Sequence, residues 1–201
     1  MENQNIVVIA YGSLKYNLGK GACRLEILDN RFNPDGPLLP LEYARISGCF
    51  KNPPERKLSL VIRRGAELQE TYWSIMKAMN LEEALKNLAR RETMTINPSG
   101  KGVYFLNLKT LETNLSDSNK DEMIKRILIE WAKEHLDIDI IIFSNWKSNF
   151  KKRNDSKCIP ETAIEFLKKI SPRELSLAKE YIEKTNLDTF FSRAIKKDFD
   201  W

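Results

Sequence analysis

The residues near the start of the chain that could do chemistry form the tetrapeptide Tyr11-Gly12-Ser13-Leu14, which directly follows the apolar run 6–10. A β-branched run of this length that ends at a glycine predicts a buried strand leading into a tight turn. Glycine allows a positive φ and lets a ligand approach the backbone closely. Successive N–H groups in such a turn can bind an anion, although the same pattern is equally typical of a tight turn without a ligand.

The rest of the sequence offers few other catalytic arrangements. The single histidine, His135, lies on a predicted helix, and the cysteines Cys23, Cys49 and Cys158 are far apart in the chain. A Ser-His-Asp site would depend on that histidine, and a zinc site would need three or four nitrogen or sulfur ligands at closer spacing. The nucleotide-binding loops GxxxxGK(S/T) and GxGxxG do not occur. We therefore expect no zinc site and no standard nucleotide-binding loop, and no base that would make Ser13 a nucleophile.

One acidic residue stands at the end of a predicted amphipathic helix. From Asn80 onward, apolar residues recur every three or four positions as far as Ala89, which predicts a helix with Asn80 as its N-cap. Glu92 falls in or just beyond the last turn of this helix. On this evidence alone, a solvated glutamate paired with Arg90 or Arg91 is the simpler interpretation.

These segments together resemble the gamma-glutamyl cyclotransferase family. Their order and spacing agree with that family: YGSL at 11–14, ARISG at 44–48 and LARRE at 88–92. The resemblance covers roughly residues 6–108, and the YGSL turn is its most specific part. It implies an α+β fold built on a small mixed β-barrel of that family's type with flanking helices, in what looks like a bacterial branch.

The resemblance also implies a reaction and a site. In the family, a glutamate at the end of a short helix is the general acid/base, and Glu92 corresponds to it here. The substrate-binding residues that the resemblance implies are Tyr11, Gly12, Ser13, Leu14, Arg45 and Tyr104. The implied reaction is the cyclisation of a gamma-glutamyl amine or peptide to 5-oxoproline with release of the amine, a lyase or transferase chemistry that requires no cofactor. The alternative is a non-catalytic module on the same fold that binds a small ligand or a partner.

Two departures from the family's pattern bear on the substrate more than on the fold. The aspartate that often precedes the glutamate by three positions is Ala89 here, and the segment TYWSI at 71–75 replaces the usual strand before the helix. The insert between 15 and 43 also lies outside the common core. The identity of the leaving amine therefore stays open.

Periodicity and turn residues organise the rest of the chain. Strands are predicted at 6–10, 41–48, 58–62, 71–75, 103–108 and 138–143, helices from 80 and at 121–136, 160–170 and 172–185, and a proline-rich loop at 33–40. The polar stretch 114–119 is the best candidate for a boundary. We therefore predict a barrel domain at 1–115 and a mainly helical C-terminal extension at 116–201 that docks on the barrel.

The bulk composition is that of an ordinary soluble globular protein, with 201 residues, 42% apolar and 30% charged residues, and a net charge of +5. No apolar run is long enough to span a bilayer, no signal-peptide pattern is present, and the separated cysteines favour reduced thiols, so we expect a cytoplasmic protein. The basic residues at 147–157 could attract nucleic acid, but no nucleic-acid-binding motif accompanies them. We expect a solvated loop there and a small-molecule substrate as the partner, and the sequence does not indicate an oligomeric state.

Overall fold

The computed structural model describes residues 4–48, 53–78, 80–92, 102–116, 118–135, 137–150 and 157–201. Over these residues the fold is α+β, as the sequence predicts. The strands are β1 Ile6–Ala10, β2 Asn33–Ser47, β3 Lys57–Ile62, β4 Leu68–Ile75, β5 Val103–Asn107 and β6 Ile140–Ser144. The α-helices are α1 Leu81–Arg91, α2 Asn119–Ala132, α3 Pro160–Lys169, α4 Pro172–Thr185 and α5 Phe190–Phe199.

The strands form one mixed sheet in the order β3-β2-β4-β1-β6-β5. β1 pairs in parallel with β6 and antiparallel with β4, and β5 pairs antiparallel with β6. Closure into a barrel requires the two outermost strands to pair with each other. β3 and β5 stand at opposite ends of this order and the sheet is open, so the predicted closed barrel is wrong.

The chain forms two compact units, each built from two stretches of sequence. The first unit contains residues 1–39 and 70–145, and the second contains 40–69 and 146–201. The units therefore do not divide at residue 115, where the sequence predicts a boundary. The stretch 116–145 belongs to the first unit because β6 pairs with both β1 and β5.

A hydrophobic core in the first unit positions α1 against the sheet. All five residues of β1 are buried, and the side chains of Ile6, Val8 and Ala10 share one core cluster with Ala84 and Leu88 of α1. Asn80 caps α1 as predicted, since its Oδ1 accepts a hydrogen bond from the Glu83 N–H at 2.9 Å. The predicted helix is thus confirmed, and its apolar face determines where its C-terminal end lies.

The stretch 33–40 is a strand, so the loop predicted there is wrong. It carries three prolines, which cannot donate to a ladder but whose carbonyl groups still accept hydrogen bonds. Pro37 O accepts a hydrogen bond from Thr71 Oγ1 at 2.6 Å, and Pro40 O accepts one from Arg63 N at 2.8 Å. Gly36 allows the close approach, because a Cβ there would lie 2.6 Å from Thr71 Oγ1.

The second unit consists of the later part of β2, together with β3 and α3 to α5. Pro160 occupies the first turn of α3, and Ser171 caps α4, as the sequence predicts. Helix α5 was not predicted. The fully buried Tyr43 shares a 2.5 Å hydrogen bond between its hydroxyl and Thr185 Oγ1, which holds β2 to the end of α4.

Two further observations concern predictions about partners. No helix within the described parts of the chain is long and apolar enough to cross a membrane. Most of the basic segment 147–157, namely residues 151–156, lies outside the described residues.

Candidate functional site

The turn after β1 has the conformation that the sequence predicts for its glycine. Gly12 adopts a φ of +62° and begins a 3-10 helix, Gly12–Lys15, while Tyr11 before it is extended. In a 3-10 helix the N–H of the third residue bonds the carbonyl of the residue before the helix, so only the N–H groups that precede it have no acceptor within the helix. Of the predicted turn residues, Gly12 and Ser13 therefore have N–H groups that this local geometry leaves for other acceptors, whereas the Leu14 N–H is used within the helix.

Tyr11 is fixed across the ends of two parallel strands. Its hydroxyl donates a hydrogen bond to the carbonyl oxygen of Ser144 at 2.5 Å, at the end of β6. Burial raises the pKa of Tyr11, the negative charge of Glu92 raises it further, and the hydrogen bond to Ser144 opposes these effects. Tyr11 is therefore a neutral phenol at physiological pH, and Glu92 lies close enough to act on it electrostatically.

Glu92 caps the C-terminal end of α1. Its N–H donates a hydrogen bond to Leu88 O at 3.0 Å, and its side chain is 15% exposed. Its Oε1 lies 3.4 Å from Nη1 of Arg91. The pairing that the sequence raised as an alternative is therefore present, but the carboxylate is mostly buried rather than solvated.

Arg91 connects this carboxylate to the loop that follows the YGSL turn. Its Nε donates a hydrogen bond to the Asn17 carbonyl oxygen at 3.0 Å, its Nη2 donates to the same oxygen, and its side chain is 12% exposed. Gly19 lies against it, since a Cβ at that position would come within 2.9 Å of Arg91 Cδ. Sequence reasoning missed this role, and the only available signal was that Arg91 precedes Glu92.

Tyr104 belongs to the same group of residues. It lies on β5, where its ring stacks on Phe143 with centroids 5.6 Å apart. Burial raises the pKa of Tyr104, and Tyr104 in turn contributes to raising the pKa of Tyr11. Three residues of the first unit, from β5, the end of α1 and the position just after β1, therefore interact electrostatically: Tyr104, Glu92 and Tyr11.

Lys15 ends the 3-10 helix beside a residue that sequence reasoning did not select. Its Nζ lies 4.2 Å from the centroid of the Tyr72 ring, on β4. Tyr72 pairs with Ala10 of β1, so the strand register brings this ring beside the turn. The cation–π contact fixes Lys15 next to the loop amides.

Arg45, the remaining predicted binding residue, belongs to the second unit. Its guanidinium carbon lies 4.2 Å from the centroid of the Trp146 ring, and its Nη1 donates a hydrogen bond to Lys147 O at 2.7 Å. These contacts hold the segment that follows residue 145 to β2. Substrate binding by Arg45 stays a prediction, and the group described above is complete without it.

The wider chemistry of the described residues adds one observation. Among the residues with described positions, no group of three or more histidine, cysteine, aspartate or glutamate side chains could hold a metal ion. Comparison with protein-family models, with curated proteins and with solved structures finds no match to this chain.

Proposed function

We propose that the first unit catalyses the cyclisation of a gamma-glutamyl amine or peptide to 5-oxoproline, as the resemblance to the gamma-glutamyl cyclotransferase family implies. The observation that carries this proposal is that the mostly buried Glu92 acts electrostatically on Tyr11, the residue that leads into the YGSL turn. A mostly buried carboxylate and a turn with available N–H groups supply the two parts that the reaction needs.

The turn binds the amino-acid end of the substrate. The N–H groups of Gly12 and Ser13 hold the substrate's α-carboxylate, because consecutive amides around a positive-φ glycine form an anion-binding concavity. The neutral phenol of Tyr11 keeps its own hydroxyl bonded to Ser144 O, so its ring forms a fixed wall. The ring of Tyr104 is likewise held in place by its stack on Phe143.

Glu92 moves the proton during the reaction. The α-ammonium of the substrate gives a proton to the carboxylate, and the resulting amine nitrogen attacks the γ-carbonyl carbon to form a five-membered ring. The ring nitrogen, which carries one proton too many after the attack, gives that proton to the leaving nitrogen as the bond between the γ-carbon and the leaving nitrogen breaks. Glu92 returns the first proton to the same nitrogen, so the amine departs as an ammonium ion. Atoms and charge balance without a co-reactant, and the products are 5-oxoproline and a free amine.

Holding the amine near its own carbonyl accounts for much of the rate. Effective molarities for well-oriented intramolecular reactions reach about 10⁵ M or more. The protein therefore has to bind the substrate in a folded conformation and to place one base. Arg91 supports that placement, because it contacts both Glu92 and the loop carbonyl at Asn17.

The test is incubation of the full chain with a panel of gamma-glutamyl amines and peptides, with 5-oxoproline measured by mass spectrometry. We expect release from at least one compound, and we expect Glu92→Gln to abolish it. Glu82→Gln is the matched control, because it removes the same charge from an exposed carboxylate in the first turn of the same helix. Unchanged release by Glu92→Gln would refute the assigned role.

The same panel also distinguishes the non-catalytic alternative. A protein that binds a gamma-glutamyl compound, with binding lost on changing the turn, but releases no 5-oxoproline from any member is a binding module. A cytoplasmic location and a bacterial origin remain parts of the proposal.

A further inference from the structure

We propose that the second unit carries a separate binding site for a small organic anion with an apolar or aromatic body. The site is a cavity of about 340 Å³ at the end of β3 and the start of α3 and α5. All of its lining residues belong to the second unit, so the inference is independent of the cyclisation proposed for the first unit.

The buried carboxylate in the cavity wall is already satisfied by the protein. Glu42 is 3% exposed, and its Oε1 accepts hydrogen bonds from Thr189 Oγ1 at 2.6 Å and from the Tyr43 N–H at 2.9 Å. Burial raises the pKa of Glu42, whereas its hydrogen bonds and the positive charge of Arg63 oppose that rise. Arg63 Nη2 donates a hydrogen bond to Cys158 O at 2.9 Å. Glu42 and Arg63 therefore already have hydrogen-bond partners in the protein, and their interactions stabilise the cavity wall.

The other carboxylate of the cavity is also paired. Glu67 Oε1 lies 2.7 Å from Nη2 of Arg193. Arg64 is exposed at the end of β3, beside Gly65 with its φ of +79°, and among the described residues no carboxylate or carbonyl engages its guanidinium. The cavity can therefore bind a negatively charged ligand group at Arg64. A guanidinium binds carboxylate or phosphate in a bidentate manner.

Apolar side chains in the cavity wall indicate the chemistry of the part of the ligand that carries no charge. Phe190 is 59% exposed and Ile159 is 41% exposed, and both line the cavity. Phe191 also lines the cavity and is buried, with the Arg63 guanidinium carbon 5.3 Å from its ring centroid. A ligand that covers Phe190 and Ile159 would remove apolar surface from water, which favours an aromatic or aliphatic body.

The volume limits the size of that body. A cavity of about 340 Å³ corresponds to roughly eleven water molecules at about 30 Å³ each. This space suits a molecule of one or two rings with one anionic group, and it excludes a polymer bound along its length.

Cys158 provides a local reporter for the test. It lines the cavity and is half-buried, whereas Cys23 is exposed in the first unit. The full chain is treated with iodoacetamide at increasing concentrations of phenyl phosphate, and the alkylation rates of the two cysteines are followed by peptide mass spectrometry. We expect phenyl phosphate to slow alkylation of Cys158 saturably and to leave the rate at Cys23 unchanged.

Chemical specificity is measured with matched probes. Inorganic phosphate has the charge without the apolar body, and the phenethylammonium ion has the body with the opposite charge. We expect each to need at least about tenfold higher concentration than phenyl phosphate for the same protection, the ratio that about 1.4 kcal/mol of binding energy produces. Equal protection by all three probes, or protection by none, would overturn the proposal.

Single substitutions test which residues bind phenyl phosphate. Arg64→Gln and Phe190→Ser change exposed side chains, so the fold is retained, and we expect each to weaken phenyl phosphate binding by about five- to tenfold. Arg126→Gln is the control, since it removes an arginine that is also exposed but lies in the first unit. If Arg64→Gln binds phenyl phosphate no more weakly than Arg126→Gln does, the anion site is not at this cavity.

Discussion

The guanidinium of Arg91 hydrogen-bonds the carbonyl oxygen of Asn17, with Nε 3.0 Å from that oxygen. Because the same guanidinium places Nη1 3.4 Å from Oε1 of Glu92, one side chain ties the loop after the YGSL turn to the proposed acid/base. Neither Arg91 nor Glu92 is more than 15% exposed at its side chain, so solvent screens this connection little.

Substitution of Arg91 removes this connection, and it should have a larger effect on the rate of cyclisation than on the free energy of unfolding. Small misplacements of a catalytic group cost large factors in rate, so we expect Arg91→Gln to reduce kcat/KM by about 10- to 100-fold. Arg91→Lys should recover only part of this loss, because an ammonium keeps the charge but not the planar fork. The rates are measured as 5-oxoproline release, and faster amide hydrogen exchange at residues 17–19 reports the loosened loop.

The neighbouring Arg90 provides the control, since it is exposed on the same turn of α1. Arg90→Gln should leave both the rate and the exchange unchanged. Equal effects of the two substitutions would show that the loss is one of net charge rather than of position.

A methyl group at Gly19 should disturb the same connection from the other side. Gly19 has a φ of +90°, and a Cβ there would lie 2.4 Å from Cys23 O and 2.9 Å from Arg91 Cδ. Gly21 also has a positive φ, of +53°, but a Cβ there would meet nothing within 4 Å. A positive φ costs an L-residue about 1–2 kcal/mol by itself.

We therefore expect Gly21→Ala to lower the free energy of unfolding by about 1–2 kcal/mol, and Gly19→Ala to lower it by clearly more. Denaturant unfolding measures both values. Because both positions have a positive φ, the difference reports the steric contact together with the less favourable φ at Gly19, and equal losses would contradict the contact at Gly19.

The buried phenol of Tyr11 should make stability fall at alkaline pH. Its pKa is raised above the ordinary value of 10.0, chiefly by burial and then by the charge of Glu92. A raised pKa in the folded state stabilises the protein below the unfolded pKa, and this contribution is lost as the pH rises above 10. The free energy of unfolding of the parent should therefore fall more steeply above pH 10 than that of Tyr11→Phe.

Denaturant unfolding at several pH values on both sides of 10 measures the two slopes. At neutral pH the substitution removes the hydrogen bond to Ser144 O, which is worth about 1 kcal/mol. Parallel slopes for the two proteins would mean that the phenol is not buried beside a negative charge.

The carboxylate of Glu174 should make stability fall at acidic pH. It accepts hydrogen bonds from Nε and Nη2 of Arg56, at 2.8 and 3.0 Å, and from the N–H and hydroxyl of Ser171. The hydrogen bonds from Arg56 hold the pKa of Glu174 at about 2, below its ordinary value of 4.5. A depressed pKa stabilises the folded state above pH 4.5, and this contribution is lost as the pH falls towards 2.

Glu174→Gln should remove this pH dependence and cost about 1.5–3 kcal/mol at neutral pH, the range for hydrogen bonds to charged groups. Thermal or denaturant unfolding between pH 7 and 2 measures both effects. Glu183→Gln, which changes a carboxylate that is 56% exposed at its side chain on the same helix, should leave the curve unchanged.

Local patterns in the sequence were sufficient to predict most elements. The run 6–10 is β1, the periodicity after Asn80 is α1, and Pro160 and Ser171 begin α3 and α4 as predicted. Each of these signals acts through sterics and capping within about one turn of chain, so it does not depend on the tertiary structure. The positive φ of Gly12 was predictable for the same reason.

What the sequence could not determine are the features that depend on residues far apart in the chain. The prolines of 33–40 predict a loop, because proline has no N–H to donate to a neighbouring strand. The segment is nevertheless a strand, in which Thr71 and Arg63 donate hydrogen bonds to the carbonyls of Pro37 and Pro40. The open sheet, likewise, follows from β6 inserting between β1 and β5, which no periodicity of residues 140–144 specifies. Proximity of Tyr11, Glu92 and Tyr104 depends on that insertion and on the packing of α1, and so it was decided by tertiary structure alone.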